Sequence, residues 1–353
     1  MLGEAMANHF LTLSQQAELL ISRGMGSKDG LSTEQLREAI GERLRHINYH
    51  RLSQYWKRMY IPAEGADSHA FQPETYWEDV VALYMLDRRL RNLLFDAIAR
   101  IEISLRSCVA HQWALSTQCF TPYSRVAHYG LSREYTAKPE PDENGNVKWS
   151  PYEYMLRKAQ ENFDAAKKRG LISGRRAKVA DVSFLPVWEF VEFCTFGAVD
   201  TLLSRGLKFR IRASIAQAYG FSSCDEFVSV IALIHDVRNA CAHQGRIWNR
   251  EWKTIRGNPR VPKMLLPEWH LVWDADTREW IRGQGAVLVA DTKRTAVALT
   301  YCGLLLQRIA PNSGWRERCR QFLADEKNRA YIQDLGFHPE WESHPLWREV
   351  VAY

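Results

Sequence analysis

The sequence predicts an all-α protein. Three observations carry that reading. Hydrophobic residues recur with a period near 3.6 over most of the chain, helix-capping signatures precede those runs, and neither an internal repeat nor an alternation of strand and helix patterns is visible. The 353 residues are 46% hydrophobic and 25% charged, an ordinary globular balance with room for a sizeable core. The expected division is an N-terminal helical region over 1–70, a helical domain over 71–255 and a mixed, largely helical region over 256–353.

The elements follow in order. Ser14 is positioned to cap a short helix that stops at Gly24. Ser32-x-x-Gln35 reads as a capping box before Leu36, Ala39, Ile40, Leu44 and Ile47, which share one face. Thr75-x-x-Glu78 reads as another, opening a long helix, or two joined end to end, through Val80, Tyr84, Leu90, Leu94, Ile98, Ile101 and Leu105 past His111. Lys138 to Asn146 has two prolines, acidic residues and an Asn-Gly pair, and is the clearest loop. Ser150-Pro151 then starts a helix, with Pro at the first position, that runs to Gly170. Leu185-Pro186-Val187-Trp188 begins an apolar helix expected to reach Phe196-Gly197. Ser222 or Ser223 caps the next helix, whose core face is Phe227, Val230, Ile231, Ile234 and Cys241. Residues 256–285 are proline-interrupted at Pro259, Pro262 and Pro267, with a short hairpin expected around Trp269 to Trp280. Thr292 to Leu306 and Trp315 to Lys327 return to helix.

Composition narrows the chemistry. No apolar run reaches the ~18 residues of a membrane span, and Glu4, Asn8 and His9 spoil the N-terminal decapeptide as an export signal. A soluble, cytoplasmic protein without membrane partner is expected. Seven scattered cysteines, odd in number and never spaced C-x-x-C, argue against a disulfide framework and a zinc ribbon. With no phosphate-cradling glycine loop, no His-Glu-x-x-His and no Gly-x-Ser-x-Gly, no cofactor and no metal are expected. A net charge of +6 fits a polyanionic partner without demanding one. The 13 tryptophans are core packing or base-stacking platforms.

What remains is Arg238-Asn239-Ala240-Cys241-Ala242-His243. Arg and His five apart occur three times, as Arg45/His50, Arg106/His111 and Arg238/His243, so spacing alone decides nothing; only the third has an amide directly after the arginine. At about 100° per residue, His235, Asn239 and His243 form one polar stripe away from the apolar face. Arg238 and His243 are about 140° apart on that wheel, so two facing helices in a symmetric dimer would bring both to one phosphate. An imidazole can move protons to and from a ribose 2′-hydroxyl and a leaving 5′-oxygen. A guanidinium can hold the non-bridging oxygens. The alternative is that both cations complement a helix C-terminus.

The run from Asp236 through Arg250, DVRNACAHQGRIWNR, resembles the signature of abortive-infection proteins of the AbiD/AbiF type, bacterial antiphage proteins with a HEPN domain. Four further blocks agree in order. They are His46 to Tyr55; Leu86 to Arg91 with Arg100 to Arg106; Leu185 to Trp188 with Phe196-Gly197; and Leu335-Gly336-Phe337 with Trp341 and Pro345-Leu346-Trp347. The resemblance implies a HEPN-like helical bundle with an N-terminal helical extension and a C-terminal helical region. It also implies a metal-independent endoribonuclease acting on single-stranded RNA, leaving 2′,3′-cyclic phosphate ends, with a small noncoding RNA as partner; a homodimer or other symmetric assembly is expected. His243 would be general acid or base, Arg238 the phosphate clamp and Asn239 an orienter. Arg246, Asn249, Arg250, Asn48, Tyr49, Arg51, Arg175 and Arg176 are the candidate RNA contacts, with core packing the alternative for the tyrosine and a solvated surface for the arginine run. Arg106 and His111 are either a second half-site or structural. Two departures stand out: Gln244 where the family often has a second His, and His338 inside the C-terminal Gly-Phe-Pro block. The competing function is a catalytically silent RNA-binding or interaction module.

Overall fold

The computed structural model describes residues 10–61, 69–124, 129–140, 143, 149–253, 255–256, 271–274, 279–282, 294–337, 341–343 and 346–347. The expectations for Glu4, Asn8, His9, Pro259, Pro262, Pro267, Trp269, His338, Pro345 and most of the 138–146 loop lie outside these residues. The chain is helical, as its periodicity predicts, and divides into two compact units, Met1–Arg91 and Asn92–Tyr353.

In the first unit α1 spans Leu13–Ser22, α2 Thr33–His46 and α3 Tyr49–Trp56, and α4 starts at Trp77. The cap of α1 is Thr12, not Ser14. Its hydroxyl accepts from the Gln15 amide, and the Gln15 side chain accepts from the Thr12 amide. The residue three beyond Ser14 is Ala17, which cannot reciprocate. Ser32 and Gln35 form the expected capping box of α2. The Thr75/Glu78 box does not form. Thr75 donates instead to the Gln72 carbonyl, and the Glu78 carboxylate is taken by the Ser27 hydroxyl (2.6 Å) and the Lys28 amide (3.0 Å). A buried polar cluster interrupts the apolar core of this unit: Tyr55 donates to Asp87 (2.6 Å), which also pairs with Arg91, and all three side chains are buried.

Helix α4 is one uninterrupted helix, Trp77–Thr117, and its residues beyond Arg91 belong to the second unit. There α5 covers Pro151–Lys168, α6 Phe196–Thr201, α7 Phe209–Ala218 and α8 Cys224–Ala242. They are followed by the antiparallel hairpin β1 Leu271–Asp274 and β2 Glu279–Arg282, which pairs Trp273 with Trp280. Then come α9 Thr295–Ile309, α10 Trp315–Ala324 and α11 Glu326–Ile332. Helix α8 is capped by Ser223, and Phe227, Val230, Ile231, Ile234 and Cys241 are buried as its pattern predicts. It packs against α6, α7 and α9.

The apolar helix expected from Val187 to Phe196 is broken. A turn of helix over Val187–Phe190 gives way to turns before Thr195 caps α6 by accepting from the Ala198 amide (3.1 Å). Carbonyls that a continuous helix would satisfy internally must find other donors. The Arg106 guanidinium supplies them, donating to the Val191 and Cys194 carbonyls from within the fold.

Aromatic residues mainly fill the core. Trp315, Phe337, Trp341 and Trp347 form one cluster with centroid separations of 6.0 to 6.5 Å. Gly336 turns the chain into that cluster at φ +89°, and a Cβ there would overlap the Arg294 side chain. Gly336→Ala is therefore expected to destabilise the protein by about 2–4 kcal/mol, combining left-handed strain with overpacking. Urea denaturation measures it. All seven cysteines are free and five are buried; burial pushes the Cys194 thiol up to about 12. Among the described residues no helix is long and apolar enough to cross a membrane.

Candidate functional site

The C-terminal half of α8 carries the site. The helix stops abruptly because His243 is its C-cap and Gln244 adopts φ +55°. The Gln244 amide then bonds the Cys241 carbonyl (3.1 Å) and the Gly245 amide bonds the Ala240 carbonyl (2.7 Å), which is the geometry of a Schellman stop. Gln244, at the position where the resemblance leads one to expect a second histidine, turns the backbone. The stop leaves the His243 side chain exposed at the helix end.

One turn earlier, Arg238 is about one-third exposed (35%). Its Nη1 donates to the Asn239 side-chain oxygen (3.4 Å), and its Nε lies 3.7 Å from the Glu102 carboxylate of α4. Glu102 is shared with Arg106, whose Nη2 donates to the other carboxylate oxygen (2.6 Å). On the opposite side the Asn239 amide nitrogen meets His235 Nε2 (3.0 Å), and His235 Nδ1 meets the Asp200 carboxylate of α6 (3.0 Å). A line of side chains thus runs Asp200–His235–Asn239–Arg238–Glu102–Arg106. Phe196 sets its ring edge against the His235 ring (5.4 Å), and Gly197 makes room, since a Cβ there would come within 3.2 Å of it. The Phe196-Gly197 pair is therefore a seat for His235.

The sequence singled out Arg238, Asn239 and His243, and α8 presents all three toward its C-terminal end. It missed Glu102 and Asp200. Glu102 had a signal, being four residues before Arg106 on one helix face. Asp200, 35 residues upstream of its partner, had none.

Most of the other candidate residues have partners within the fold. Arg106 is buried, whereas His111 is exposed and lines a shallow cleft with Arg100, Ser107 and Cys108; the structure does not bring the two together. After α8, Asn249 (φ +47°) accepts from Arg294 (2.7 Å), Trp252 donates to Thr295 (3.0 Å), and Arg250 lies over the Trp252 ring. This clamps the 247–252 segment to the start of α9. Arg246, just before this segment, is half-buried. Arg175 and Arg176 both pair with Glu189 (2.8 and 2.9 Å). In the first unit, Asn48 caps α3 by accepting from the Arg51 amide, and Arg51 is half-buried. Tyr49 packs edge-on to Trp56 and takes a hydrogen bond from Arg23, and burial pushes its hydroxyl up to about 12.

The family model of Abi-like proteins matches residues 42–249, from within α2 to the turn after α8. The chain belongs to this abortive-infection family. In this Abi-like protein the matched segment contains the whole Asp200-to-Arg106 line and ends just past the Schellman stop. No curated protein and no solved structure matches the chain.

Proposed function

We propose that this Abi-like protein is an antiphage, HEPN-type endoribonuclease of the AbiD/AbiF kind, working in the cytoplasm on single-stranded RNA. The observation that carries the reading is that the C-terminal half of one helix bears both an exposed imidazole and a guanidinium held from two sides but still open to solvent. In the reaction, His243 takes the proton of the ribose 2′-hydroxyl as that oxygen attacks the adjacent phosphorus. The bond from phosphorus to the 5′-oxygen breaks, and a protonated imidazole gives the leaving oxygen its proton. Arg238 stabilises the charge that builds on the non-bridging oxygens. A homodimer would supply the two imidazoles from symmetry-related α8 ends. Because the nucleophile is internal to the substrate, the chemistry requires no metal. A bound noncoding RNA would act as controlling partner, drawn to a chain of net charge +6.

A second reading has one observation in its favour: Arg238 already has a carboxylate, Glu102, 3.7 Å from its Nε. On that reading the protein binds RNA without cutting it. Single-stranded RNA incubated with purified protein in EDTA separates the two. The nuclease reading expects products ending in 2′,3′-cyclic phosphate and no cleavage where a 2′-deoxy nucleotide precedes the scissile bond. Intact RNA, bound with an affinity that falls steeply with salt, establishes the silent module instead.

A further inference from the structure

The side chains beside Arg238 impose a direction on one another. Asp200 is 18% exposed, and its second oxygen is buried with no hydrogen-bond partner among the described residues. A carboxylate so placed needs a donor from His235, its neighbour at 3.0 Å. That requirement puts the proton of a neutral imidazole on Nδ1 and leaves Nε2 as a lone-pair acceptor. The Asn239 group at 3.0 Å from Nε2 must then be the amide NH2. The Asn239 oxygen is left facing Arg238, where it accepts from Nη1. Every link donates toward Asp200. With the proton on Nε2 instead, the amide would have to turn over and present NH2 to the guanidinium, two donors face to face.

We infer that Asp200 and His235 are positioning residues that fix the Asn239 amide and, through it, hold the Arg238 guanidinium in place between Asn239 and Glu102. The inference rests on the proposed nuclease site, and it deepens it by assigning the histidine inside the fold a different task from the exposed one. His235 does not touch substrate. It relays to Asn239 the hydrogen-bond polarity that Asp200 sets. The ring's place against Phe196 and over Gly197 keeps it in line with both neighbours. The same logic, a carboxylate choosing a histidine tautomer, is known to be worth large rate factors in other enzymes.

The test combines a spectroscopic reading with a substitution cycle. Nitrogen chemical shifts of the His235 ring, recorded at pH 8 on full-length protein, are expected to show a neutral ring protonated at Nδ1. In Asp200→Ala the proton is expected to move to Nε2. A wild-type ring protonated at Nε2, or at both nitrogens, overturns the inference whether or not the protein cuts RNA. For cleavage, His235→Leu removes the acceptor and is expected to lower kcat about tenfold, the usual effect of a supporting hydrogen-bond partner, with KM little changed. His235→Gln offers a side-chain oxygen to the Asn239 amide and is expected to stay within about threefold of wild type. Asp200→Ala should lower kcat about tenfold in the His235 background and have no effect beside His235→Gln. A merely space-filling role predicts the reverse: Leu tolerated, Gln not, and an Asp200 effect indifferent to residue 235. If the wild type cleaves nothing, the nuclease reading fails while the tautomer measurement still decides the hydrogen-bond chain.

Discussion

Asp87→Ala is expected to destabilise the Met1–Arg91 unit by about 3–5 kcal/mol, the usual cost of leaving one member of a buried ion pair behind. Asp87 is wholly buried, Arg91 nearly so, and Tyr55 donates to the same carboxylate oxygen that Arg91 grips. Removing the carboxylate takes the adjacent counter-charge from a buried guanidinium and the acceptor from a hydroxyl. The hydroxyl cannot compensate by ionising, because burial, the largest cause raising its ionisation above the ordinary tyrosine range, persists in the variant. Asp87→Asn keeps the volume yet leaves Arg91 unbalanced, so it should be nearly as damaging. The combination Tyr55→Phe, Asp87→Leu and Arg91→Met removes the three polar groups together. It is expected to recover most of the lost stability, since apolar replacements of whole buried ionic clusters are often neutral or better. Urea unfolding of the four proteins checks this. A single-variant loss under about 1 kcal/mol would show that water reaches the cluster and that its burial carries no energetic weight.

That cluster also explains two of the ordered sequence blocks. Tyr55 closes one, and Asp87 and Arg91 lie in the other. Their meeting was not legible, because nothing in helical periodicity announces that two polar positions on different helices will face each other. Periodicity did locate the helices and the buried face of α8, where burial follows one element's own pattern. It failed where a partner elsewhere in the chain outcompeted the local choice. Glu78 was drawn away from a capping box by Ser27 and Lys28. The apolar run after Val187 broke because Thr195 could restart a helix and Arg106 could absorb the carbonyls released. The candidate site shows the same division. Arg238, Asn239 and His243 were legible from a motif within six residues. Asp200 was not, and Glu102 was legible only as a partner of Arg106, because the relation of both to the motif exists only once α4, α6 and α8 are packed.

His243→Ala is expected to lower RNA cleavage by about 10²–10⁴-fold, the range for loss of a general acid–base group. The stability change should stay within about 1 kcal/mol, because the side chain is exposed and gives up little beyond its favourable place at a helix C-terminus. The pairing of a large activity loss with a small stability loss separates chemistry from folding. Arg238→Lys is the sharper companion. It keeps the positive charge but not the fork that reaches the Asn239 oxygen and the Glu102 carboxylate while presenting further N–H groups to solvent. A lysine ammonium drawn to Glu102 offers no second donor plane for a phosphate, so kcat should fall about 10²–10³-fold, as when a charge-stabilising donor is lost. Because both groups serve one transition state, the double variant should be little worse than His243→Ala alone. Multiplicative losses in the double variant would mean that the two side chains act on separate steps, and the single-phosphate geometry would have to be given up.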